Sequence, residues 1–111
     1  MSKNAGNIKE EMDGKTLTVA LRGEIDHHNA TQMRLGIDKL ILENRPSTLI
    51  LDVEDIEFMD SSGLGLIMGR YKKMSEIGGE LILKNPSDAI LRICRLAGLG
   101  RFIKITTKTK A

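Results

Sequence analysis

Aromatic residues are scarce in this chain: among 111 residues there is no Trp, one Tyr and two Phe. That scarcity excludes the rows of stacking rings with which many proteins hold RNA or single-stranded DNA. It also leaves the core to Leu, Ile, Val and Met, which an apolar fraction of 41% can supply. Cysteine is nearly absent too. Cys94 stands alone, so an internal disulfide is impossible, a reducing compartment is suited, and the residue reads as a small buried hydrophobe. No run comes near the ~18 apolar residues that cross a bilayer, and the opening MSKNAGNIKE has no apolar stretch of the kind that directs secretion. A cytoplasmic protein with no membrane partner is therefore expected. Nor is there a surplus of one charge: 17 Lys and Arg face 15 acidic residues, for a formal charge of +2, which argues against nucleic acid as a partner. The run from Lys104 to Lys110 is the one basic cluster and reads as a solvated tail.

What is present is a regular succession of short apolar segments, in a chain of the length that makes one domain around one core. Asn7 to Met12, then Asp13-Gly14, then Thr16 to Arg22 predicts a hairpin, because Asp-Gly suits the positive backbone angles of a tight turn. Leu17, Val19 and Leu21 share one face of its second strand, and GEIDHHN then breaks the alternation. From Asn29 the period turns helical, with Ala30, Met33, Ile37, Leu40 and Ile41 on one side and an end near Asn44, ahead of Pro46. TLILDV, Thr48 to Val53, is nearly continuous apolar, as in a strand covered on both sides or lying deep in a sheet. A second helix carries Leu64, Ile67, Met68, Tyr71 and Met74 at helical spacing and stops at Gly78-Gly79. Glu80 to Lys84 reads as a strand, and Asn85-Pro86-Ser87 opens a third helix with Ile90, Ile93, Cys94 and Ala97 on one side, closing at Gly98. Arg101 to Ile105 is a last short strand. The order β-β-α-β-α-β-α-β predicts a single α/β domain, a mixed sheet of about five strands with helices packed against it.

Between the third strand and the second helix lies FMDSSGLGLIMGRYK, Phe58 to Lys72. Gly63, Gly65 and Gly69 suggest a phosphate loop, since glycines let backbone N–H groups approach an anion at a helix start. Their spacing misses the dinucleotide fingerprint by one residue, and no Gly-Lys-Ser/Thr follows to complete a Walker motif. The simpler account of Gly65 and Gly69, four apart on one face, is close packing against a neighbouring element. Ser61 with Asp26, His27 and His28 could be written as a hydrolytic triad, but no G-x-S-x-G elbow surrounds either serine. Two adjacent His and one distant Cys match no metal-ligand spacing. Asp60, Ser61 and Ser62 fit helix capping, in which a side-chain oxygen accepts a bond from an orphan N–H. One cap needs one residue, so a run of three leaves a hydroxyl free to face solvent.

GEIDHH (Gly23 to His28), FMDSSGLGLIMGRYK and IGGE (Ile77 to Glu80), in this order and on these elements, resemble the STAS domain of anti-sigma factor antagonists of the sporulation type. The likeness runs from about Ile8 to Ile105. It implies a binding module of STAS fold that is not an enzyme and uses no cofactor. In that family the first Ser of D-S-S-G is phosphorylated by a partner that is both serine kinase and anti-sigma factor, which maps the acceptor to Ser61. The resemblance further implies that the unmodified form binds this partner and frees the sigma factor, that the phosphorylated form does not bind productively, and that a PP2C-type phosphatase resets the switch. Asp26, His27, Asp60, Ser61, Ser62, Gly63 and Gly65 are the expected partner-binding residues, with Gly63 and Gly65 keeping the surroundings of Ser61 low for an approaching kinase. The free protein is expected to be a monomer. Longer members of the family carry a final amphipathic helix where this chain has only TTKTKA after Ile105. Two alternatives stand beside this reading: a small nucleotide-binding or nucleotide-hydrolysing protein, suggested by the glycines, and a STAS subunit of a stressosome or lipid-transport complex.

Overall fold

The hairpin that opens the chain is made of β1 (Ile8–Asp13) and β2 (Thr16–Ile25), paired antiparallel with Asp13 opposite Thr16. A computed structural model describes residues 7–108. The tight turn consists of Gly14 and Lys15, one residue later than the Asp13-Gly14 reading places it, and Gly14 supplies the positive backbone angle at φ +62°. Three parallel units follow: α1 (Ala30–Asn44) leads to β3 (Thr48–Met59), α2 (Ser61–Glu76) to β4 (Glu80–Lys84), and α3 (Asp88–Leu96) with a 3-10 turn (Leu99–Arg101) to β5 (Lys104–Thr106). Strands lie in the order β1-β2-β3-β4-β5, parallel from β2 onward.

Each parallel crossover therefore steps to the next strand in the same direction, and the right-handed rule puts all three helices on one face of the sheet. Burial agrees. Leu17, Val19, Leu21, Leu49, Leu51, Val53, Leu81 and Leu83 are buried, whereas their alternates Thr18, Ala20, Ile50, Asp52 and Ile82 are only partly covered. β3 is the central strand, so its apolar run reflects depth in the sheet and not cover on both sides.

Both long strands outrun the sequence expectation. β2 continues past Arg22 to Ile25 and β3 past Val53 to Met59 because their pairing shifts register between Ala20 and Arg22 and between Gly23 and Glu24, with Gly23 at φ +96°. A bulge breaks the strict alternation of side chains. Beyond Val53 the buried positions are Ile56 and Met59, a spacing of three that a period of two cannot register.

The helices begin and end on recognisable chemistry. α1 buries Met33, Ile37, Leu40 and Ile41 and ends on Arg45, which takes the left-handed conformation at φ 43° while its N–H reaches Ile41 O at 2.7 Å. For a residue with a Cβ that conformation costs roughly 1–2 kcal/mol. Gly36 allows Ile8 of β1 to lie against α1, since a Cβ there would sit 2.8 Å from Ile8 Cδ1. In α3, Ser87 Oγ accepts the Ile90 N–H at 3.2 Å, and Ile90 and Cys94 are buried; Ile93 is half-buried and Ala97 exposed, so its inner face is narrower than expected. Gly98 at φ +76° stops it. Burying Leu99 and Ile103 turns the chain once more, so β5 starts at Lys104 and not at Arg101.

The inner face of α2 is Gly63, Leu66, Ile67, Arg70 and Met74. Leu64, Met68 and Tyr71, expected on that face, lie half-buried at its margin. The difference is Arg70, 4% exposed, whose Nε lies 2.8 Å from Asp38 Oδ1 on α1 and whose Nη1 donates to Leu66 O at 3.4 Å. Burial pulls the Arg70 guanidinium below its ordinary pKa, and Asp38 opposes that shift.

Candidate functional site

At one end of the sheet two strands finish side by side. Ile25 and Met59 are partners in the parallel register, so Asp26 and Asp60 leave the sheet next to one another. The Asp60 N–H donates to Ile25 O at 3.0 Å and ties the two exits together. Each aspartate then organises the start of a helix.

Asp26 Oδ1 accepts the N–H groups of His28 at 3.0 Å and Asn29 at 2.9 Å, while its carbonyl accepts the Ala30 N–H at 2.8 Å. Asn29 precedes α1 without capping it through its side chain, which donates instead to Glu24 O at 3.1 Å. The Asn29 N–H holds the Asp26 carboxyl below its ordinary pKa; partial desolvation opposes this, and the His28 N–H reinforces it. Asp60, in extended conformation, caps α2: its Oδ1 accepts the Ser62 N–H at 2.8 Å, and its carbonyl accepts the Gly63 N–H at 2.9 Å. Two positive helix ends thus converge on one surface, each already holding one carboxylate.

Ser61 is the first residue of α2 and is exposed; Ser62 is half-buried. The capping bond belongs to Asp60, and among the described residues no hydrogen bond engages the Ser61 hydroxyl. His27 and His28 are exposed on the neighbouring loop with ring centroids 4.1 Å apart. Of the residues singled out from the sequence, Asp26, His27, Asp60, Ser61 and Ser62 are therefore gathered at adjacent strand ends.

The glycines divide differently. Gly63 is buried, and a Cβ on it would overlap the Met59 side chain, so its bareness serves the contact between α2 and β3. Gly65 is exposed, and a Cβ at Gly65 or Gly69 would meet nothing within 4 Å. Close packing, expected at those two positions, is instead found at Gly63, Gly36 and Gly79. All three glycines of the G-x-G-x-x-x-G row lie inside α2, with no phosphate loop ahead of the helix. Among the described residues no group of three or more His, Cys, Asp or Glu could hold a metal ion.

Phe58, 51% exposed, precedes the buried Met59 in β3 and so points to the face of the sheet that carries no helix.

Comparison with known proteins matches the STAS domain family to residues 7–111. An anti-sigma F factor antagonist of Lysinibacillus sphaericus is 35% identical over 102 residues, covering 92% of this chain and 87% of that protein. Among solved structures, the anti-sigma factor antagonist SpoIIAA in its unphosphorylated form superposes with a TM-score of 0.77 at 35% identity, covering 91% of this chain and 89% of its own. The Bacillus cell fate determinant SpoIIAA in the phosphorylated form gives a TM-score of 0.71 at 35% identity, over 91% and 92%.

Proposed function

This chain belongs to the STAS domain family, and on that premise we propose that it is an anti-sigma factor antagonist switched by phosphorylation of Ser61. It binds a serine-kinase anti-sigma factor in the cytoplasm and so releases a sigma factor for sporulation transcription. A PP2C-type phosphatase restores the binding form. The chain itself supplies the surface and the acceptor hydroxyl, and the partner supplies the chemistry.

One observation carries this reading: Asp60 caps α2, so Ser61 stands exposed beside it with its hydroxyl uncommitted. The names of the relatives support it, one an anti-sigma F factor antagonist and one a structure in phosphorylated form. Phosphorylation adds about −1.5 to −2 charges and three acceptor oxygens. At the head of α2 the helix dipole favours that anion by roughly 0.3–1 kcal/mol, while Asp60, which already holds the Ser62 and Gly63 N–H groups, opposes it. The fold is left nearly indifferent. A docked partner is not, because desolvating an unpaired dianion costs several kcal/mol and each 1.4 kcal/mol is tenfold in affinity.

Incubation with the kinase partner and ATP should add one phosphate, located at Ser61 by mass spectrometry and absent from Ser61→Ala. Ser61→Ala should bind the anti-sigma factor as the unmodified chain does, and Ser61→Asp at least tenfold more weakly. Phosphate on another residue, or equal binding by the phosphorylated protein, would overturn the reading.

A further inference from the structure

The far ends of the same two helices form a second surface, away from Ser61. Where α1 and α2 run toward their C-termini, a groove is lined by Leu35, Ile41, Leu42 and Ile77 with Lys39, Arg45 and Lys73 around it. Ile41 is buried and Ile77 half-buried, forming the floor; Leu35 is 57% and Leu42 71% exposed, forming a wall with one helical heptad between them. Large aliphatic side chains set together in a groove mark interaction sites more often than scattered surface apolar residues do. Helix-in-groove recognition uses this geometry, with anchors spaced by three, four or seven residues.

We propose that this groove docks an amphipathic, acidic helix of a partner protein. Charge selects the occupant. Lys39, Arg45 and Lys73 make no ion pair among the described residues. Of the two carboxylates at the groove, Asp38 is already held by Arg70, which leaves Glu76 alone against three cations. Arg45 occupies a left-handed backbone position where glycine would fit without strain.

Other occupants fit less well. A second copy meeting groove to groove would set Lys39, Arg45 and Lys73 against the same three cations. Residues 1–6 and 109–111, MSKNAG and TKA, carry no acidic side chain. A lipid surface would meet the protruding leucines but not the recessed floor of Ile41 and Ile77. The proposal does not depend on the reading of Ser61.

The test is a titration of isotope-labelled full-length protein, followed by backbone amide shifts, with a synthetic helical peptide bearing Leu at heptad spacing and Glu on both flanks. Shifts should concentrate in residues 35–45 and 73–77, and affinity should fall as salt rises. Leu42→Glu should weaken binding at least tenfold, and Lys39→Glu with Lys73→Glu should transfer the preference to the same peptide made with Lys in place of Glu. All three residues are exposed, so the fold tolerates the changes. Ser61→Asp should bind the peptide unchanged, which separates this surface from the phosphorylation site. The proposal is overturned if the groove residues do not move, if the Lys peptide binds the unaltered protein equally well, if protein concentration alone reproduces the shifts, or if phosphatidylglycerol vesicles do so.

Discussion

Arg70 has no place in the apolar spacing that predicts the inner face of α2, and yet it lies under the helix against Asp38. A charge on an inner face has no periodic signature of its own, because its partner comes from another helix 32 positions earlier in the chain. Removing one member of such a pair leaves the other uncompensated. Asp38→Ala should therefore cost about 3–5 kcal/mol, since the Arg70 side chain is only 4% exposed and cannot reach water. Arg70→Met should cost less, because Asp38 is 21% exposed and regains hydration. Chemical denaturation of both variants and the double variant checks this, with the double variant less destabilised than the two losses added together. Ser61 is the opposite case. That a cap lies within D-S-S was legible, because capping is local chemistry that needs no distant partner; that Asp60 supplies it and leaves Ser61 free is what the structure adds.

At the scale of elements the sequence was most informative where the side-chain period was unbroken. α1 was read to its last residue, Asn44, with the four buried positions Met33, Ile37, Leu40 and Ile41 included. β2 and β3 were cut short because the bulge at Gly23 resets which positions face inward. α2 shows how glycine misleads, since three of them in one helix look alike in sequence and meet different surroundings. Gly63→Ala should destabilise the protein by about 1–3 kcal/mol, as expected when a packed contact is overfilled, because its Cβ would overlap Met59. Gly65→Ala, with open space around it, should stabilise by about 0.5–1 kcal/mol through helix propensity. Thermal unfolding measures both. If docking at Ser61 needs bare backbone at Gly65, the second variant will bind the anti-sigma factor less well although it is more stable.

The molecule as a whole was legible in outline: an α/β domain, five strands in one mixed sheet, three helices, one core. What the sequence did not reveal was that the helices all take one side of the sheet, which follows from strand order and the handedness of crossovers. Cys94 reports on that core. It is fully buried beneath α3, and burial pushes its thiol above the ordinary pKa. Alkylation should be negligible in the native state and should rise with denaturant in step with global unfolding, since only the thiolate reacts; reaction well ahead of unfolding would mean that α3 opens by itself. The uninterrupted strand order has one more consequence. Every strand after the first is laid against the strand made just before it, so loop closures stay short and assembly can keep pace with the ribosome. The serine-bearing helix leaves one of the strands it packs on, β3, and leads straight into the other, β4, so its seat is complete as soon as Glu80–Lys84 has paired.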